Sequence, residues 1–194
     1  MANQFWRLCK TRIIDKAKKR SEQMRIGVIS DTHLGPGQEL PAIVPEIFAG
    51  VDAILHAGDM TSLQVVDNLE KLAPVYAVTG NCDNKFIFER FGLDRVVELA
   101  GFRLGLSHGH GLGGHKIDTP ASVYRYWCRK VVDVAVFGHT HIPYCAEQAG
   151  MLLFNPGSIT LPRGGNPPSV GLLSLVAGEK PTGQIIKLPG ISRG

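Results

Sequence analysis

Residues 25–33, RIGVISDTH, decide the reading of this chain. The run Arg25–Ser30 is short, apolar and β-branched, the pattern of a buried strand, and it ends on Asp31-Thr32-His33. The same arrangement recurs down the chain. Ala53–His56 runs into Ala57-Gly58-Asp59, and Val75–Thr79 runs into Gly80-Asn81-Cys82-Asp83. Phe102–Ser107 runs into His108-Gly109-His110, and Val134–Phe137 runs into Gly138-His139-Thr140-His141. Helical stretches over Pro41–Ala49 and Ser62–Leu72 separate the early runs. That alternation predicts an α/β fold with a parallel or mixed sheet. Another helix is expected over Ala121–Lys130. Met151–Phe154, Val170–Val176 and Gln184–Leu188 read as further strands, of a second sheet.

Ligands of open α/β sheets gather beyond the carboxyl ends of the strands, which is where all of these polar clusters fall. Asp31, His33, Asp59, Asn81, His108, His139 and His141 together offer two carboxylates, one amide oxygen and four imidazoles. Asp-x-His and His-x-His place donors two residues apart, and in extended chain such side chains point the same way. A mixed oxygen and nitrogen set without thiolate suits Mn first among the borderline divalent ions, then Fe, Ni, Co or Zn. The set is too large for one tetrahedral ion and suits two, with a carboxylate between them. Taken singly, an Asp-x-His or a Gly-Asp is usually a turn element. An ordered series of them, each closing an apolar strand, is not what turn chemistry produces.

The 194 residues, 44% apolar and 20% charged, have the composition of an ordinary globular domain. Disordered, collagenous, coiled-coil and disulfide-framework classes are excluded by it. No apolar run is long enough to cross a membrane. The net charge of +4 is concentrated at one end. Residues 1–23 carry seven Lys and Arg against Asp15 and Glu22, a local +5, so the remainder is at −1. A basic tail gives at most weak attraction to nucleic acid and no reading groove. Phe5, Cys9, Ile13 and Ala17 fall on one face of a short helix, although a mobile tail before Met24 is the simpler expectation. The chain thus divides into an extension 1–23, a domain 24–190 and a tail 191–194. Cys9, Cys82, Cys128 and Cys145 are widely spaced and read as reduced thiols of a cytoplasmic protein. His56 reads as a core residue, and His115 carries no assignment.

In this order, Asp31-x-His33, Gly58-Asp59, Gly80-Asn81, His108 and Gly138-His139-x-His141 resemble the signature of calcineurin-like metallophosphoesterases. The body is similar to their small single-domain bacterial and archaeal phosphodiesterase branch, as are Asn155-Pro156-Gly157-Ser158 and Arg163. The resemblance implies a four-layer α/β/β/α sandwich of two mixed sheets with a dinuclear site. By motif, Asp31, His33 and His141 would hold one ion. Asn81, His108 and His139 would hold the other, and Asp59 would bridge them. Many members have histidine where this chain has Cys82, a poorer acid for a leaving alkoxide. Asp83 and His110 are then the nearest residues for proton handling. Asn81, His110 and Arg163 are the expected substrate contacts, Arg163 as a guanidinium clamp on a phosphate oxygen.

The expected activity is hydrolysis of a small phosphodiester by in-line attack of a metal-bridging hydroxide, with no covalent intermediate. The competing expectation is a protein-interaction scaffold. The retromer subunit that resembles this branch keeps the fold while its ligand set has decayed, whereas this chain has all seven donors. A homo-oligomer is compatible with either.

Overall fold

The computed structural model describes residues 23–110 and 119–188. The proposed N-terminal helix, His115 and residues 191–194 lie outside these. The first sheet begins with β1 (Gln23–Ile29), β2 (Ala53–His56) and β3 (Val75–Ala77), which pair in parallel. Their crossovers carry α1 (Ile43–Ile47) and α2 (Leu63–Glu70). Ser62 caps α2, its side chain accepting the Gln64 N–H. Next come α3 (Lys85–Phe91), β4 (Asp94–Leu99) and β5 (Phe102–Ser107). Then follow α4 (Pro120–Trp127), a 3₁₀ turn over Cys128–Lys130, and β6 (Val134–Val136). The chain closes with β7 (Tyr144–Gln148), β8 (Met151–Asn155), β9 (Ser169–Val176) and β10 (Thr182–Lys187).

Two five-stranded mixed sheets result, ordered β10-β9-β1-β2-β3 and β4-β5-β6-β8-β7. Alternation along each strand assigns its two faces. Ile26, Val28, Leu55, Leu104, Leu106, Val134, Val136 and Phe154 meet between the sheets in one buried core. Their neighbours Ile29 and Ile54 turn outward and pack with Val44 and Phe48 of the α1 region and with Val65, Val66 and Leu69 of α2. On the opposite side Ala135, Phe137 and Leu153 pack against Val123 and Trp127 of α4. The order of layers is therefore helix, sheet, sheet, helix, the expected sandwich.

One expectation needs correction. Of the three downstream strands, only β8 joins the second sheet. β9 returns antiparallel to β1, with Ile26 opposite Leu173, and β10 pairs with β9. The free edge of β1 accepts them, because β2 occupies only its other side. β5 and β6 instead belong to the second sheet. The donor clusters therefore rise from two sheets and meet at their shared carboxyl-end rim.

Candidate metal centre

Each predicted donor stands on a turn that leaves a strand, and the turns are sharper than the sequence spacing implies. Asp31, His33, Asp59, Thr61, His139 and His141 all have φ between 44° and 68°. They make up six of the nine non-glycine residues with positive φ among those described. Extended backbone does not align Asp31 with His33, or His139 with His141. Left-handed turns do, at about 1–3 kcal/mol of strain each. Such strain persists only where surrounding bonds over-determine it, and here they do. Asp31 N–H donates to Gly58 O at 3.0 Å, and His33 N–H to Asp59 O at 3.0 Å. His139 N–H reaches both Asp31 carboxylate oxygens, at 3.1 and 3.2 Å. The approach is so close that a Cβ on Gly80 would run into the Asp59 carboxylate, and one on Gly138 into the Ser30 hydroxyl. Only glycine fits at these two positions.

The donors fall in two overlapping groups, and among the described residues only the first is a full convergence of ligand atoms. In the first, one atom each from Asp31, His33, Asp59 and His141 all lie within 4.8 Å of one another. His141 Nε2 stands 3.3 Å from Asp31 Oδ1 and 3.3 Å from His33 Nε2, which is 3.5 Å from Asp59 Oδ2. In the second, His108 Nε2 is 3.3 Å from the same Asp59 Oδ2 and 3.2 Å from Asn81 Oδ1. The His139 ring lies beside His108, with centroids 5.2 Å apart. Asp59 Oδ2 thus faces both groups, and Oδ1 is held by the Cys82 N–H at 2.7 Å.

Outer bonds orient the imidazoles. His108 Nδ1–H donates to Ala57 O at 2.7 Å, and His141 Nδ1–H donates to Leu161 O at 2.6 Å. Both rings therefore turn Nε2 inward, the nitrogen that would ligate a metal once it has given up any proton it carries. Asn155 and Ser158, from the motif noted in the sequence, hold the turns from behind. Asn155 Nδ2 donates to Gly138 O at 2.9 Å, and Ser158 Oγ donates to Asp31 O at 2.7 Å. The sequence pointed at this motif without giving its job. The roles of Thr160, whose hydroxyl donates to Thr32 O at 2.7 Å, and of the Leu161 carbonyl had no signal in it.

The electrostatics favour a cation. Asp31 and Asp59 are 0% and 2% exposed, and among the described residues no lysine or arginine pairs with either. Burial pushes the Asp31 carboxyl up to about 6, against the opposing pull of His108. Burial acts on Asp59 in the same sense, but His108 and the Cys82 N–H outweigh it and hold that carboxyl below the usual range. Burial would lower His108, yet Asp59 and Asp31 raise it. One imidazole is therefore the main compensation for two buried carboxylates, and a divalent ion is the natural completion of such a set. The group of Asp31, His33, Asp59 and His141 fits a metal ion.

The remaining expected site residues fall in different places. Asp83 does not point into the site. Its Oδ2 accepts the Asp59 N–H at 2.9 Å and the Gly80 N–H at 2.7 Å, while Oδ1 accepts the Thr61 N–H at 2.6 Å. It ties the turn after β2 to the turn after β3. His110 is half-buried with its ring centroid 5.3 Å from that of His108, and its buried Nδ1 has no partner among the described residues. Burial, then His108, lowers its pKa. Burial, with Asp59 adding, pushes the Cys82 thiol up to about 11, so it is no thiolate. His56 is fully buried at about 3, receiving the Gly58 N–H on Nδ1 and facing Thr32 Oγ1 through Nε2. Arg163 is exposed and lines a cleft next to His33, with its backbone N–H on His141 O at 3.2 Å.

Comparison with known proteins gives the same picture. Residues 24–178 match the Calcineurin-like phosphoesterase superfamily domain. A probable metallophosphoesterase of Methanothermobacter thermautotrophicus is 43% identical over 166 residues, 84% of this chain and 92% of that protein. A phosphodiesterase of Escherichia coli K12 is 37% identical over 173 residues, 77% of this chain and 87% of that one. Among solved structures, vacuolar protein sorting 29 from Cryptosporidium parvum superposes with a TM-score of 0.69 at 26% identity. That likeness covers 86% of this chain and 98% of that one.

Proposed function

The chain belongs to the calcineurin-like phosphoesterase superfamily, and from that membership we propose that it is a phosphodiesterase working with two divalent ions, Mn first among them. Asp31, His33 and His141 would hold one ion, Asn81, His108 and His139 the other, and Asp59 would be shared between them. The observation that carries this reading is the single oxygen, Asp59 Oδ2, lying 3.5 Å from His33 Nε2 and 3.3 Å from His108 Nε2. When bound, the ions would lower the pKa of an attacking water and neutralise charge on the phosphoryl oxygens during in-line displacement. The protein's own part is to hold that donor set rigid and to place the diester. Arg163 and Asn81 stand at the open side of the set and contact phosphoryl oxygens.

Proton handling passes to His110. Its ring packs against His108 and one of its nitrogens is unclaimed, whereas the oxygens of Asp83 are engaged by backbone. We accordingly assign Asp83 to positioning. With a thiol at position 82 and no dedicated acid there, diesters of acidic alcohols such as nitrophenol are the better substrates.

The test is chelation followed by reconstitution. Activity on bis-p-nitrophenyl phosphate falls to background in EDTA and returns with Mn²⁺; full turnover in rigorously metal-free protein would overturn the mechanism. The scaffold reading draws support from the likeness to vacuolar protein sorting 29. A protein that loads metal and hydrolyses neither diesters nor monoesters would establish it instead.

A further inference from the structure

Next to the metal centre, on the His33 and His141 side, lies a cleft of about 890 Å³. Its walls are largely apolar: Leu34 and Pro41 from the loop after β1, and Ile159, Leu161 and Pro168 from the loop after β8. His33 forms its inner end, so the cleft opens directly from the ligand set. Volumes of this order are those of small-molecule sites, roughly 300–1,000 Å³, and a phosphate with a methyl arm would leave most of it empty.

The wall is fixed to the ligands themselves. Ser158 Oγ donates to Asp31 O at 2.7 Å, and Thr160 Oγ1 donates to Thr32 O at 2.7 Å. Leu161 O accepts His141 Nδ1–H at 2.6 Å, and Arg163 N–H donates to His141 O at 3.2 Å. The loop from 158 to 163 therefore cannot shift without moving Asp31 or His141. Three prolines (41, 162 and 168) stiffen the lining further. A cleft registered in this way to the reacting position is preorganised for a group attached to the phosphorus.

Charge narrows the occupant. Among the described residues Arg163 is the only lysine or arginine in the lining, and no carboxylate is present there. A polynucleotide would require a row of cations along its phosphates. One guanidinium beside an apolar wall suits a single diester monoanion with a neutral arm.

We propose that the cleft receives one ester arm of the substrate, and that this arm is an uncharged ring-bearing group, aryl or nucleoside. The proposal rests on the phosphodiesterase reading and adds the class of diester.

Three diesters sharing one leaving group test it: methyl, phenyl and thymidine p-nitrophenyl phosphates, each corrected for its rate with hydroxide. With Mn²⁺-loaded protein, kcat/KM for the ring-bearing diesters exceeds that for the methyl diester by roughly tenfold to a hundredfold, the scale of burying one ring face. Either order between phenyl and thymidine supports the cleft and names the ring. Gln38 is an exposed residue of the cleft lining, and in Gln38→Trp, whose larger side chain takes up cleft volume, the ratio of ring-bearing to methyl diester collapses toward one. Independently of turnover, diphenyl phosphate added to metal-free protein shifts the methyl NMR signals of Leu34, Ile159 and Leu161, and dimethyl phosphate does not. Turnover of all three diesters at equal rates would overturn the inference and leave the phosphodiesterase reading standing. Turnover of none would remove both.

Discussion

The two halves of the donor set are built differently. The half containing Asp31, His33 and His141 is braced by backbone and side-chain bonds from three directions: the β2 turn, Ser158 and Thr160, and the Leu161 carbonyl. The half containing Asn81, His108 and His139 has one fully buried member, His108, bonded behind to Ala57 O. Asn81 is exposed, and its amide nitrogen bonds the Cys82 sulfur at 3.2 Å. Preorganised ligands bind an ion with little ordering cost, so on the proposed two-ion reading the first half would be the tighter site and the second the exchangeable one. Asp59 is common to both.

The shared residue gives the largest expected effect. Asp59→Asn weakens both ions together, lowering kcat on a nitrophenyl diester on the order of a thousandfold. Elemental analysis of the purified variant finds less than one ion per chain. Two ions and near-normal turnover would show that the halves are independent. Next in size are the half-specific changes. Titrating metal-free protein with Mn²⁺ gives two steps of different affinity. Asn81→Ala abolishes the weaker step and His141→Ala the tighter, each costing roughly a hundredfold in affinity or activity. Loss of the tighter step in Asn81→Ala would reverse the comparison.

The same contrast explains what the sequence could reveal. Donor identity and order were legible because each cluster closes an apolar run, and both features are local. The geometry that aligns the donors was not. Spacing argued for extended chain at Asp31-x-His33, whereas the turns are left-handed, a choice made by bonds to Gly58, Asp59 and Asn155, remote in sequence. α3 gave no helical signal because it buries only Ile87 while Phe86 and Phe88 face outward. β7 gave none because it is an edge strand with no fully buried residue. Nothing within Val170–Val176 tells which sheet it joins, since both of its faces are apolar enough for either. Asp83 shows the limit most clearly, because composition cannot separate a carboxylate facing an ion from one facing three amides.

His56 makes the braced half sensitive to pH. Neutral, it receives the Gly58 N–H and faces Thr32 Oγ1, linking the residue before Asp59 to the one between Asp31 and His33. Burial lowers its pKa from 6.5 to about 3. The unfolded chain therefore binds a proton first as pH falls, so the contribution of His56 is intact above pH 6.5 and erodes progressively toward pH 3. By pH 3 the loss approaches roughly 4 kcal/mol. Asp31, raised to about 6, acts in the opposite sense in metal-free protein, which gains stability from it as pH falls from 6 toward 3.8. Urea unfolding of metal-free wild type and His56→Gln at a series of pH values isolates the histidine. Their stability difference narrows on acidification; a pH-independent difference would mean that His56 is not the sensor.

The smallest effect belongs to the residue that joins the halves. Asp83 accepts the N–H groups of Asp59 and Thr61 on one turn and of Gly80 on the other. Asp83→Ala leaves three amides without an acceptor and costs about 3 kcal/mol of stability. Asp83→Asn retains one acceptor oxygen and loses about half of that. A role in proton transfer predicts a different ranking: both variants would be inactive, and the acid or alkaline limb of the pH–rate profile would vanish with stability little changed. Positioning predicts that Asn restores most of the turnover lost in Ala, with an unaltered pH profile and a lower affinity of the second Mn²⁺ step. Asn81 follows directly after Gly80, whose N–H Asp83 holds, so loosening that turn must reach the exposed half first.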